Sequence, residues 1–500
     1  MHLSKVITGE TMAITVTKAA EYSVRRRLSW SAMAAIAAMA ALMLMSPVLQ
    51  ALELEPRITI GITRTDNVAL AAEDEQSETV YRAEPGFSLS HDTQRITVNA
   101  DYLMQAFRYA DLGESEIFHQ YDASLRAALV PEIFFVEVGG DRTQSILDPE
   151  QRIPQSNLPI SGNRTDRDQY YITPSFQYVF GGTVTAQGQY RNSWVNFGDG
   201  DSVGLERDSE DRTATFSLDN YRRESGITWA LRYSWERTDY DESIPFEYQQ
   251  ASLELGFWLS GTTRVFASGG QESAWDKPLD PALEDTFWEA GFSHQVGERL
   301  SAEFAAGERS FGSSWRGRLE FEFPRGSTTL SYTESPTTEN RTRFSVPGFD
   351  DALNLEDFLS RPGSADRFIQ KRLEWRFDYS LTRTDFSVGV FDDERADRTT
   401  ASGDPLEDEE QSGIDVRVGY RLGAKTTLSA SGSWAERQFG EGDDSEFIRA
   451  AVTADYRLGS RTTLSLEYEY AEEDGEASGG GGFSRDYVAN TVSLLLTRTF

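Results

Sequence analysis

Tyr487-Val488-Ala489-Asn490-Thr491-Val492-Ser493-Leu494-Leu495-Leu496-Thr497-Arg498-Thr499-Phe500 ends the chain. Val488, Val492, Leu494 and Leu496 fall on one parity, and Thr491, Ser493, Thr497 and Thr499 fall on the other. Successive side chains of a strand point to opposite faces, so this stretch reads as a strand with one apolar and one polar face. It finishes on an aromatic residue, with Arg498 standing where an apolar or tyrosyl residue would continue the pattern.

The same alternation recurs upstream. Ile414, Val416, Val418 and Tyr420 oppose Asp415, Arg417, Gly419 and Arg421; Leu464, Leu466, Tyr468 and Tyr470 oppose Ser465, Glu467 and Glu469. Leu373, Trp375, Phe377 and Tyr379 oppose Arg372, Glu374, Arg376 and Asp378, and Ile227, Trp229, Leu231, Tyr233 and Trp235 oppose Thr228, Arg232 and Glu236. Tyr and Trp recur where strands meet connections, as an interfacial girdle requires and a soluble sandwich does not.

The connections come in two kinds. Tyr420-Arg421-Leu422-Gly423-Ala424-Lys425-Thr426-Thr427 recurs as Tyr456-Arg457-Leu458-Gly459-Ser460-Arg461-Thr462-Thr463, a glycine between two alternating runs and hence a hairpin turn. Ten such short turns alternate with longer, acidic connections such as Leu147 to Asp166, Pro336 to Asp366 and Asp392 to Glu410. Short turns on one side and long loops on the other are the asymmetry of an outer-membrane barrel, and a terminal aromatic strand resembles the closing strand of that architecture. With both termini on the short-turn side, ten turns imply about 22 strands, in a range of roughly 18–24. The expected fold class is all-β, a transmembrane antiparallel β-barrel. The competing folds are a soluble propeller or a β-helix.

Composition alone points elsewhere: 500 residues carry a net charge of −33 and 39% hydrophobic residues. A spanning helix needs about 20 apolar residues, and the one apolar run, Met33 to Met45, follows Arg25-Arg26-Arg27 and precedes Ser46, Pro47 and Ala51. That order reads as a signal peptide, residues 1–51, ahead of a barrel at 52–500. A first strand beginning near Arg57 leaves no length for a plug domain before it, so an unplugged barrel is expected and energy-coupled uptake is disfavoured. The acidic surface excludes nucleic acid. With no cysteine, there are no disulfides or thiolate metal sites.

Ile60-Gly61-Ile62-Thr63-Arg64-Thr65-Asp66-Asn67-Val68, Glu78 to Phe87 and Ile96 to Tyr102 follow in succession. This opening resembles the outer-membrane β-barrel proteins associated with PEP-CTERM/exosortase systems, which are encoded beside exopolysaccharide genes. The resemblance covers about the first sixty mature residues. It implies a barrel in the outer membrane of a Gram-negative bacterium that serves as conduit or accessory factor in exopolysaccharide export or surface assembly. Implied partners are outer-membrane lipid and lipopolysaccharide, the barrel-assembly machinery, exopolysaccharide and its periplasmic export proteins. A general diffusion porin and a non-conducting structural or adhesive barrel are the alternatives.

Candidate lumen-lining residues follow from the polar parity. Arg316, Arg318, Glu320 and Glu322 oppose Trp315, Leu319, Phe321 and Phe323. With Arg372, Glu374, Arg376, Asp378, Arg417, Arg449, Asp455, Arg457, Glu467 and Glu469 they would line a hydrated bore with both signs of charge, selecting a polar solute or merely pairing across strands. Phe500 is the membrane-targeting C-terminus. The Pro336 to Asp366 loop contains Asp350 to Leu359, apolar at helical spacing, and is expected either to fold inward as a constriction or to pack as an external lid. Asp404, Glu407, Asp408, Glu409 and Glu410 crowd a loop without a metal-binding spacing, and solvated acidic loops explain them. His2, His91, His119 and His294 are the only histidines, and no acid or serine can be paired with them. No catalytic residue, metal or cofactor is expected.

Overall fold

The computed structural model describes residues 52–500 apart from 147–150, 155, 199–207, 221–225, 242, 275–284, 339–365, 401–403, 440–442 and 476–484. The expected signal peptide and the expected helix at Asp350 to Leu359 lie outside the described residues. Twenty-two strands pair antiparallel, each with the next, from β1 (Glu53–Thr65) to β22 (Tyr487–Thr499). The two end strands pair with each other from Arg57↔Thr499 to Thr65↔Thr491 and close the sheet. Closure leaves no open edge, which is the condition for spanning lipid with strands.

At the seam the inner hydroxyls bond across: Thr63 to Ser493 at 2.9 Å and Thr59 to Thr497 at 2.8 Å. Gly61 lies opposite Leu495, and a Cβ at Gly61 would stand 2.4 Å from Leu495 Cδ2 and 2.6 Å from the Leu494 carbonyl oxygen. The glycine therefore makes room for a leucine that turns inward at the seam. Beyond it, the Phe500 N–H donates to the Pro56 carbonyl at 2.9 Å, and the Arg498 guanidinium lies 5.4 Å from the Phe500 ring centroid. Arg498 thus keeps its outward place by stacking on the terminal aromatic.

On the outer face the apolar parity is bare. Leu494 is 46% exposed, Leu255 on β10 (Phe246–Trp258) 56% and Ile227 on β9 (Ile227–Tyr240) 61%. An apolar belt encircling the whole barrel exceeds anything a soluble monomer leaves to water, and a bilayer is the solvent that covers it.

The expected count of about 22 strands is the number the described residues form, and the first strand begins at Glu53, a little before Arg57. The expectation of an unplugged bore needs correction: a connection from the long-loop rim enters the lumen, so the position of the first strand does not decide what fills the barrel.

Candidate functional site in the lumen

The segment that enters joins β5 (Phe134–Ile146) to β6 (Arg164–Phe180). On β4 (Ser115–Val130), Ile117 is exposed on the outer face, so Glu116, Phe118 and Gln120 share the inner one. β4 and β5 pair only as far as Tyr121↔Arg142, and above that point the end of the β5–β6 hairpin is free to lean. It leans inward onto the inner face of β4. Arg164 reaches Glu116 at 3.5 Å and lies 4.9 Å from the Phe118 ring, while Gln120 donates to Gln144 at 2.9 Å.

From there the connection is fixed at two banks. At the near bank Leu158 is buried with Val68, Val80, Phe107 and Tyr109. The Tyr109 hydroxyl donates to the Leu158 carbonyl at 2.9 Å, the Ile160 N–H donates to the Val68 carbonyl at 2.9 Å, and Asn157 donates to Gln105 at 2.9 Å. Arg164 ties the turn together by donating to the Pro159 carbonyl at 2.8 Å.

At the far bank Ile153, with no exposed surface, packs in one cluster with Phe391, Ala435 and Phe447. These come from β17 (Thr384–Thr399), β19 (Thr426–Phe439) and β20 (Asp443–Arg457), across the ring from β5. The Ile153 N–H donates to Glu473 Oε2 at 3.0 Å, and its carbonyl accepts from the Tyr487 hydroxyl at 2.8 Å. The described part of the connection therefore lies inside the barrel near its long-loop end, touching Val68, Val80, Phe107 and Phe118 on one side and reaching past Tyr487 on β22 and Glu473 to β17, β19 and β20.

The groups around the far seat are titratable and lie beyond the lipid belt. Glu473, near the end of β21 (Thr462–Gly475), is almost wholly buried, and burial pushes its carboxyl up to about 8 against the pull of the Ile153 N–H and of Arg485 and Arg152. Glu409, which opens β18 (Glu409–Arg421), behaves oppositely. Burial opposes its charge, but Arg437, Arg395 and Arg398 surround it and hold it down at about 2. Arg437, with no exposed surface, is 2.5 Å from Glu409, and Arg398 is 3.3 Å away. A register shift between β16 (Arg367–Ser380) and β17, with Asp397 at φ 53°, brings Arg398 to the inner side. Glu409 is thus a buried ion-pair centre, not a residue of a solvated acidic loop.

The expected lumen residues all sit on the inner parity, but no single site gathers them. On β14 (Gly312–Phe323), Arg316 pairs with Glu303 and Glu289, and Arg318 donates to Glu320 at 2.6 Å. Arg372 is 3.3 Å from Asp393, Arg376 is 3.5 Å from Glu374, Arg449 is 2.8 Å from Glu469, and Asp455 accepts from Ser465 at 2.6 Å. Glu322, Asp378, Arg417, Arg457 and Glu467 line the same wall. Most of these charges satisfy their neighbours and keep the bore wet. His119 bonds Tyr102 and His294 bonds Thr263, each at 2.8 Å on separate parts of the wall. Among the described residues no group of His, Cys, Asp or Glu could hold a metal ion.

The sequence reading passed over Ile153, Leu158, Ile160 and Glu473. The signal was present in the Leu147 to Asp166 connection, whose Ile153-Pro154 and Leu158-Pro159-Ile160 are apolar steps that need cover.

No protein-family model and no curated protein matches the chain. Among solved structures it is similar to a ferric enterobactin receptor mutant of Pseudomonas aeruginosa in complex with enterobactin, at 13% identity and TM-score 0.50, covering 90% of this chain and 81% of that one. It is also similar to the siderophore receptor PirA of the same organism, at 14% identity and TM-score 0.43 over 90% and 80% of the two chains. A loop-deletion mutant of OmpT, an outer membrane protein of Vibrio cholerae, aligns at 11% identity and TM-score 0.31 over 90% and 99%. Likeness at this level speaks to fold alone. The expectation of a barrel without a plug domain is corrected on this likeness: the receptor structure it resembles at TM-score 0.50 is of the class that carries a plug, although no plug domain is present among the described residues. With its closed sheet of 22 strands, the chain is a large outer-membrane-type β-barrel.

Proposed function

We propose that this barrel is a gated conduit, or an accessory factor, for export or surface assembly of a neutral or zwitterionic exopolysaccharide across the outer membrane, with the β5–β6 connection as its gate. One observation carries the reading: the described part of a connection lies in a polar bore, where Ile153 is buried among residues of β17, β19 and β20 and its backbone is held by hydrogen bonds with Glu473 on β21 and Tyr487 on the seam strand β22. These contacts can be lost together without disturbing the wall, which is hydrogen-bonded strand to strand independently of them. The polysaccharide is supported by the resemblance of the first mature strands to exopolysaccharide-associated barrels, and the charge of −33 disfavours a polyanion. The partners that follow are lipopolysaccharide, the assembly machinery and periplasmic export proteins. No catalytic role is part of this reading.

Single-channel recording in planar bilayers tests it, together with the secreted polysaccharide of a deletion strain. A gated conduit shows small or intermittent currents that become large and steady when Gln151 to Pro159 is replaced by a short Gly-Ser linker, and the deletion strain loses secreted polymer. Steady large currents in the unaltered barrel would instead make it a diffusion porin. Silence in both forms would make it a scaffold, and normal secretion in the deletion strain would remove the export role.

A further inference from the structure

The inner wall is chemically divided. Along β13 (Leu300–Arg309) to β21 most of the inner charges are paired with neighbours, whereas midway along β6 to β10 the inner wall carries mainly neutral amides and hydroxyls. β7 (Val184–Phe197) and β8 (Ser209–Asp219) lie between them. Strand register sets these groups in two rows. Ser175, Gln189, Thr215 and Ser234 stand side by side and lead to Gln250. One step nearer the short-turn mouth, Gln177, Gln187 and Ser217 lead to Arg232 and Ser252.

Arg232 is 2.8 Å from Glu254, a carboxylate it shares with Arg264, and the other residues of the two rows are neutral. Ser175, Gln177, Gln187, Gln189, Thr215 and Ser217 make no side-chain hydrogen bond or ion pair with any described residue. The rows border a recess of about 400 Å³. At its edge Phe135, paired with Ser175, lies under the Arg126 guanidinium, 4.6 Å from the ring centroid.

We propose that this wall is a binding track for a neutral, hydroxyl-rich oligosaccharide, met by a polymer entering from the short-turn side before it reaches the gate. Each glutamine supplies an acceptor and two donors and each hydroxyl supplies both, which is what vicinal sugar hydroxyls require. Repetition along adjacent strands offers equivalent footholds, so a chain can advance without one deep well, as conduction demands. The track rests on the conduit reading and names its substrate class.

Isothermal titration of the full chain in detergent with maltoheptaose as probe tests the track. Binding is expected. Gln187→Ala with Gln189→Ala weakens it about tenfold, the loss of two neutral hydrogen bonds. Ser331→Ala on the charged wall leaves it unchanged. Absence of maltoheptaose binding or equal binding by the double variant overturns the track. If the alanine pair fails to fold, Gln187→Asn with Gln189→Asn keeps the amides but shortens their reach, and is read the same way. Titration does not require an open pore. Binding without conductance therefore defeats the conduit alone, and conductance without binding defeats the track alone.

Discussion

Replacing Ile153 by alanine should open the gate while leaving the wall intact. Ile153 is fully buried among Phe391, Ala435 and Phe447, and truncating such a side chain costs about 2–5 kcal/mol when the site cannot collapse. The seat is part of a rigid wall, so little relaxation is available. Taking about 3 kcal/mol, the equilibrium between docked and released connection shifts roughly 100-fold toward release. The chain has no cysteine, which makes a site-specific thiol clean. With Ala435→Cys as reporter, a membrane-impermeant charged thiol reagent should label the Ile153→Ala barrel about 100 times faster than the parent, because Ala435 becomes reachable only when the connection leaves. Single-channel records should show longer open periods in parallel. If labelling rate and open time are unchanged while the barrel still resists unfolding in detergent at room temperature, Ile153 does not hold the gate.

The remaining expectations concern the latch, the buried ions and the seam. Glu473 is held neutral by burial under the docked connection, so the docked state binds more protons than the released one between the ordinary carboxylate value and about 8. Docking therefore weakens as pH rises from about 4.5 to about 8 and levels off above that, and Glu473→Gln should flatten the pH profile of open probability. Arg437→Ala leaves Glu409 buried with one guanidinium fewer, at a cost of about 3–5 kcal/mol, visible as a lower unfolding midpoint in denaturant. An unchanged midpoint would show that Arg395 and Arg398 suffice. Gly61→Val drives a branched side chain into Leu495 across the closing pair, and folding yield into detergent micelles should fall sharply, with Leu495→Ala restoring it. Equal yield would mean that the seam has slack.

Much of the wall was legible because its cause is local. Alternation at Leu464 to Tyr470 or at Trp315 to Phe323 assigns each side chain to lipid or lumen from backbone geometry alone, and glycine turns such as Leu422-Gly423 mark where the chain reverses. The inner parity of Arg316, Arg372 and Glu469 follows from the same rule. Their pairing does not, because it depends on which residues the register sets opposite each other. Arg398 shows the limit within one strand, where a single extra residue reverses its face. The conclusion drawn from a first strand near Arg57 failed because it treated the bore as the property of one terminus.

The sequence by itself determined a membrane-spanning β-wall with a hydrated interior of both charge signs and acidic long loops, since period-two patterning and turn chemistry act over a few residues at a time. Only the tertiary structure decided that Ile153 on one side of the ring meets Phe391 and Phe447 on the other, and that Glu473 and Tyr487 clasp its backbone. Those residues are far apart along the chain and share no repeat. Closure of the sheet sets the width of the bore, and the freed end of the β5–β6 hairpin sets how far the connection can reach across it.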